Sequence, residues 1–379
     1  MKAQVLLQFI SLATAAVPPR AVQGEETFLV QLENEQKWVT QEEKRKFRLE
    51  GTGFFDKTYS SKLGTASRTS AVKKYAYPDS ASSYTNVTAL FSSLSSDLLK
   101  SRLTTFSTFQ NRYYKGGYGA QSSAWLLDIV NTTLVEAGVT SSLGATVEAF
   151  AHPEWNQDSD SVNWKTSNQE TSRSPGADDN GSGSMTILEA LRVYLTSPEV
   201  LAGGAVNTVE FHWYAAEEVG LLGSQAVFGA YAAEGRDVVA MLEQGMTGYS
   251  AGMQIERIAV VRDYVDEDLT TFIEVMADTY CDIMYTRTKC GYAWSAKIPP
   301  FVYLLQWKRV TDSFNPSSDF AAAADAGYQS AFVIEAPFEN ISPYKHTDED
   351  TVTTVDYSHM KQHGQLTVGF VYELAFTAF

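Results

Sequence analysis

The order of strand-like and helix-like segments in this chain predicts an α/β fold in which one sheet is covered by helices on both faces. Three observations carry the prediction. Apolar residues recur at helical spacing over Val87–Leu103 and Ser122–Ala137. Short strand-like runs interleave with helical ones, and in Asn207–Ala215 the residues Thr208, Glu210 and His212 alternate with Val209, Phe211 and Trp213. Of the 379 residues, 44% are hydrophobic and 12% aromatic, which suits one large core or two modest domains rather than a disordered chain.

Taken in order, the chain opens on a processing signal. Lys2 gives a basic start, Val5–Val17 an apolar stretch, and Ala13-Thr14-Ala15 a small-residue cleavage pattern before Pro18 and Pro19. A signal peptide over 1–15 and a secreted product are expected. Residues 16–80 hold one helix, Thr40–Gly51, with Thr40 as N-cap and Glu43 three residues on. Lys57–Ala81, with the dibasic Lys73–Lys74, reads as a protease-accessible linker. The part before it is either a propeptide or a small N-terminal subdomain, and composition leaves both open.

The regular pattern then begins and defines a domain over 81–379. Beyond its first two helices, Ala145–Ala151 reads as a strand and Met185–Leu195 as a helix. Asn207–Ala215, Asp237–Leu242, Ile258–Val261 and Ser330–Glu335 are strands, with helices at Asp268–Tyr280 and Tyr357–Phe376.

Charge narrows the function. A formal charge of −16 and a pI near 4.8 argue against nucleic acid and against an anionic membrane surface. No later run reaches the roughly 20 apolar residues of a spanning helix. In an oxidising compartment Cys281 and Cys290, close in sequence, are expected to form one local disulfide. Asn86, Asn131, Asn180 and Asn340 head glycosylation sequons.

Two acidic pairs stand out. Asp178–Asp179 sits in Pro175-Gly176-Ala177-Asp178-Asp179-Asn180-Gly181-Ser182-Gly183, and Glu217–Glu218 in Ala215-Ala216-Glu217-Glu218-Val219-Gly220-Leu221-Leu222-Gly223-Ser224. Adjacent carboxylates repel and are costly to bury without a cation. Glu217–Glu218 falls just past a strand and Asp178 just before a helix, where α/β folds place their sites. Together the pairs predict a divalent-metal site.

These two segments, with Thr104-Thr105-Phe106, Asn111-Arg112-Tyr113-Tyr114, Cys290-Gly291-Tyr292-Ala293 and His346-Thr347-Asp348, resemble the secreted fungal leucine aminopeptidases of the two-zinc family. Segment 24–58 is similar to their propeptide. The resemblance implies a central mixed, mostly parallel sheet flanked by helices and two zinc ions per chain. It implies that Asp178 bridges them, that Glu218 and His346 are ligands, and that Glu217 is the general base. It further implies a monomer that removes N-terminal, apolar residues from peptides with a free amino end.

Three departures from the family follow. The Phe150-Ala151-His152-Pro153-Glu154-Trp155 element runs straight into Asp158-Ser159, the strands between are missing, and Asp158 occupies the place of a ligating His. The second zinc's Asp is matched by Gly245. Trp294–Ser317 is an insertion without family likeness. Asp158 and Glu243 are the substitute ligands the sequence offers, although Glu243 lies two strand residues back, about 6–7 Å. A lost segment with an in-frame insertion is what mispredicted splicing produces, and the intact Glu217–Glu218 pair favours that account over decay. The rivals to an aminopeptidase are a non-catalytic protein that binds peptide N-termini and a serine hydrolase. The latter lacks any Gly-x-Ser-x-Gly elbow with suitably placed partners.

Overall fold

A computed structural model describes residues 26–32, 35–49, 52–59, 73–139, 145–152, 154–155, 157, 173–290 and 318–379. The expected signal peptide, Asp158 and the 294–317 insertion lie outside the described residues, as does most of the expected linker.

The N-terminal unit is a three-stranded antiparallel sheet, order β2-β1-β3, formed by β1 (Thr27–Gln31), β2 (Gln36–Thr40) and β3 (Phe55–Asp56). Helix α1 (Gln41–Leu49) follows β2 directly. Its start is the predicted capping box: Thr40 N donates to Glu43 Oε2 at 2.8 Å and Glu43 N to Thr40 Oγ1 at 3.2 Å. Val30, Val39 and Phe54 form its small core, and Lys44 is fully buried in an ion pair with Asp56.

The main body begins with α2 (Tyr84–Leu90) and α3 (Ser96–Phe106), where one helix was predicted. The break is chemical. Ser95 caps α3 by accepting from Leu98 N at 3.2 Å, and its own amide goes to buried Glu189 at 2.8 Å. Then come α4 (Gly117–Glu136), α5 (Gly183–Tyr194), α6 (Pro198–Leu201) and α7 (Leu222–Glu234). Strands β4 (Met241–Gln244) and β5 (Arg257–Val261) precede α8 (Glu267–Tyr280), and β6 (Met284–Thr288) follows it. Helix α9 (Phe320–Asp325), β7 (Ser330–Ile334) and α10 (Tyr357–Phe376) complete the chain.

The four main strands are ordered β4-β7-β5-β6, with β4/β7 and β5/β6 parallel and β5/β7 antiparallel. The expected mixed, mostly parallel sheet is therefore present. Period-two alternation covers both faces: Ile258 and Val260 join the cluster of α5, α8 and α10, while Ala259 and Val261 pack with Phe320 and Phe332 on the other side.

Two expected strands do not form. Ala145–Ala151 joins no ladder. Asn207–Ala215 keeps its alternation, with Val209, Phe211 and Trp213 turned to the core and Thr208 and Glu210 exposed, yet among the described residues 208–213 join no backbone ladder. Strand character alone does not make a strand without a second edge.

The disulfide expectation is also overturned, since both cysteines are free. Cys281 ends α8 with its thiol on Gln362 O at 3.5 Å, and Cys290 is buried beside Phe320 and Phe332. Strand β6 stands between them. Five extended residues span about 16 Å, whereas a disulfide needs Cα atoms within about 7 Å.

Candidate active site

The site is built where two turns meet. The first is Gly176–Ser182, ahead of α5. It is braced from behind by Arg112, fully buried against Phe106, which donates to Pro175 O at 2.6 Å and Gly176 O at 2.8 Å. Asp350, also fully buried, accepts from Asp178 N at 2.8 Å and Asp179 N at 3.0 Å. Burial, followed by the nearby Asp178 charge, pushes the Asp350 carboxyl up to about 7.

The second turn carries Glu217 and Glu218. Ala216 (φ 58°), Gly220 (φ 109°) and Leu221 (φ 59°) are left-handed. A third left-handed non-glycine residue, His346 (φ 64°), faces this turn from the loop after β7. Each such alanine, leucine or histidine costs about 1 kcal/mol or more, and such strain gathers where a geometry has to be held.

These turns bring three side chains together. His346 Nε2 lies 3.6 Å from Asp179 Oδ2 and 3.8 Å from Glu218 Oε2. Glu217 adjoins Glu218. Burial and then the Glu218 charge push its carboxyl well above the usual range. Burial likewise raises Glu218, opposed by the Arg48 guanidinium and Lys345. Among the described residues no three ligand-type side chains stand at metal-binding distance. The Asp179–Glu218–His346 triplet is nonetheless a converging set of two carboxylates and one imidazole.

The structure corrects one member of the expected set. The carboxylate beside His346 and Glu218 is that of Asp179, not Asp178. Asp178 turns the other way: its Oδ1 accepts from Ser182 Oγ and Gly248 N, each at 2.9 Å. Its neighbour there is Glu335, fully buried and receiving Tyr249 N at 2.6 Å and Ser342 N at 2.9 Å. Burial and mutual proximity raise the Glu335 carboxyl well above its ordinary range. Two adjacent aspartates look alike in a sequence, and only the distant Gly248 amide tells them apart.

Gly245 does not merely lack a side chain. A Cβ built there would meet Phe332 Cε2 at 2.6 Å, so an aromatic ring fills the place. Glu243 does not substitute for it. Its carboxylate takes Phe320 N at 2.6 Å and the Ser318 hydroxyl, and burial pushes it up to about 7. His152 stacks on Trp155 at 4.5 Å, and burial lowers it to about 4, as befits a core imidazole.

Of the sequons, Asn86 and Asn131 are exposed. Asn340 Nδ2 is held on Gly252 O at 2.9 Å. Asn180 is unsuited to a glycan: its Nδ2 donates to Gln244 O at 3.2 Å and its Oδ1 accepts from Gly183 N at 3.2 Å, inside the first turn.

Two neighbours of the site were not singled out by sequence reasoning. Arg48 of α1 reaches Glu218, Nε to Oε2, at 3.7 Å. Asp319, buried at the start of α9, is raised by burial and by the Glu243 charge. The Ser318-Asp319 pair after the insertion was the only available hint of the second.

Known proteins share this architecture. The model of peptidase family M28 matches residues 158–371. Leucine aminopeptidase 1 of Leptosphaeria maculans is 43% identical over 377 residues, covering 93% of this chain and 89% of its own. Leucine aminopeptidase 1 of Phaeosphaeria nodorum is 42% identical over 418 aligned positions, covering 100% of both chains. The crystal structure of the LapA aminopeptidase of Legionella pneumophila has the same fold, with a TM-score of 0.73 at 24% identity over 97% of this chain and 96% of that one.

Proposed function

The chain belongs to peptidase family M28, and from that premise we propose that it is a zinc aminopeptidase releasing N-terminal residues from peptides. The observation that carries the reading is the convergence of Asp179, Glu218 and His346 next to Glu217. Two carboxylates and an imidazole are a donor set suited to zinc. In this reading Asp179 takes the role first expected of Asp178, and Glu218 and His346 keep theirs. The residues fit one ion. The second ion implied by the family resemblance finds Gly245 and the Phe332 ring where a carboxylate would be needed.

Zinc bound there supplies a more acidic water and a polarised carbonyl. Glu217 accepts the proton of the attacking water and returns it to the departing amine, a role open to it because Glu218 and not Glu217 faces His346. The ammonium group of a free peptide N-terminus arriving there would favour the ionised forms of Glu217 and Asp319, whose carboxyls burial otherwise raises. A leucine-like preference is supported by the names of the relatives alone. The N-terminal pattern supports secretion, and the unit over 26–59 is read as a propeptide because Arg48 sits on Glu218.

The test is zinc content together with hydrolysis of leucine p-nitroanilide. Close to one zinc per chain, activity lost to chelator and restored by zinc, and a loss of roughly 10²–10⁴ in kcat for Glu217→Gln with zinc retained are expected. The second reading, a non-catalytic protein that binds peptide N-termini, is favoured by Gly245. Peptide binding without turnover, and zinc near zero, would establish it instead.

A further inference from the structure

Helix α10 carries a buried histidine that the candidate site does not use. His359 has no exposed surface, and both of its ring nitrogens are engaged: Nε2 lies 2.9 Å from Glu335 O and Nδ1 lies 2.8 Å from Glu256 Oε1. The two partners decide where the ring's protons sit. A main-chain carbonyl only accepts, so Nε2 carries a hydrogen. In a neutral imidazole Nδ1 would then be a bare lone pair, set against a carboxylate with no proton between them. Glu256 reaches solvent, being 36% exposed, and of an imidazole and a carboxylate the imidazole is the stronger base. The second proton therefore belongs on Nδ1, and the ring is an imidazolium in an ion pair.

The other groups around the ring suit a cation. Asp356, which caps α10, accepts from His359 N at 3.2 Å. Asp178 of the first turn and Glu335 at the end of β7 face the ring from the other side, and burial raises both carboxyls. His363, one turn along α10, has its ring centroid 5.1 Å away, and burial holds it well below the usual imidazole range, so it adds no competing charge. The pair also joins two segments that frame the candidate site. Glu256 closes the segment between β4 and β5. On that segment Met246 O accepts from Glu335 N at 2.8 Å, Gly248 O accepts from Asp356 N at 2.6 Å and Tyr249 N donates to Glu335 Oε2 at 2.6 Å. Glu335 in turn opens the loop that leads to His346.

We propose that His359 and Glu256 form a proton-operated clasp that fastens segment 246–256 to the root of the His346 loop. While the ring holds both protons, Nε2 grips the Glu335 carbonyl and Nδ1 grips Glu256. When a base in solution removes the Nδ1 proton, a lone pair is left against the Glu256 carboxylate, the attraction is lost, and the segment is released at that end. Raising the pH opens the clasp and lowering it again closes it. The inference concerns the protein with or without an ion in its site, and it does not rest on the peptidase reading.

The test is nitrogen NMR of the full chain labelled with ¹⁵N in its five histidines, with amide hydrogen exchange measured alongside. One ring is expected to show both nitrogens protonated near neutral pH and to pass to the Nε2–H tautomer as the pH is raised. Glu256→Gln alters a partly exposed side chain without changing its shape, and among the described residues Glu256 pairs with His359 alone. The variant should shift that one ring to the neutral Nε2–H tautomer at the starting pH, because an amide donates to the bare Nδ1. In the unaltered chain, exchange at the Tyr249 and Asp356 amides, corrected for its intrinsic dependence on pH, should quicken several-fold as the ring loses its proton. The variant should lack that step. The proposal is overturned if no ring responds to Glu256→Gln, or if the ring that responds is already neutral in the unaltered chain. Exchange at Tyr249 and Asp356 that ignores the ring's titration would overturn it as well.

Discussion

Arg48 Nε lies 3.7 Å from Glu218 Oε2, across the seam between the N-terminal unit and the turn that carries the paired glutamates. Both side chains are mostly buried, so solvent screens the pair only partly. The seam is tight on either side of it. Asp56 N donates to Gly220 O at 3.1 Å, and Phe55 packs with Tyr214, Leu221 and Val227. A guanidinium resting on a proposed ligand competes with the ion for the same charge.

Replacing that guanidinium should therefore tighten metal binding. For Arg48→Ala, zinc affinity measured by chelator competition is expected to rise by about three- to tenfold, the equivalent of roughly 0.6–1.4 kcal/mol. An unchanged affinity would show that the ion pair does not restrain Glu218.

The two adjacent aspartates should separate cleanly. Asp179→Asn is expected to lose zinc and activity together, because it removes a carboxylate from the converging cluster. Asp178→Asn should keep zinc, while its effect appears in thermal stability through Ser182, Gly248 and Glu335. Zinc content of the two variants decides the matter, and zinc lost only from the Asp178 variant would reverse the assignment.

Restoring a carboxylate at position 245 should fail on its own. Gly245→Asp drives a Cβ into Phe332 and is expected to destabilise the fold by about 1–3 kcal/mol with no second equivalent of zinc. Combining it with Phe332→Ala makes room. A second zinc bound by the double variant alone would show that the ring closes the second position.

The metal-free protein should lose stability as pH rises from about 4.5 to about 7. Burial holds the Glu243 carboxyl near 7 in the fold against 4.5 ordinarily, so in this window the folded chain binds more protons than the unfolded one. The contribution is complete below 4.5 and gone above 7, and it amounts to at most about 3 kcal/mol. Glu243→Gln should flatten that part of a urea-midpoint profile measured against pH. An unaltered slope would mean that Glu243 titrates normally.

What the sequence disclosed was mostly local. Tyr357–Phe376 was legible to the residue, since Asp356 caps it by accepting from Ser358 N and His359 N and the apolar spacing runs unbroken behind it. The paired acids and His346 announced a site by composition and resemblance. The errors came from what local pattern omits. Segment 207–215 has strand alternation, but pairing depends on a neighbour remote in the chain. The Asp178 carboxylate is directed by an amide seventy residues away. The nine positions from Cys281 to Cys290 look short until β6 stretches them out.

The brace behind the first turn has a thermodynamic corollary. Arg112 and Asp350 fix Pro175–Asp179 through main-chain atoms and make no demand on an ion. The first turn is thus fixed by the chain's own hydrogen bonds, unlike a zinc finger that folds only as it is loaded. Metal uptake should then leave circular dichroism unchanged and show a heat-capacity change close to zero in calorimetry, because hardly any apolar surface is newly covered. Loading should raise the melting temperature only by mass action, in proportion to the logarithm of free zinc above its dissociation constant. A chain made in a zinc-poor medium would on this account reach its native shape intact and wait for its ion.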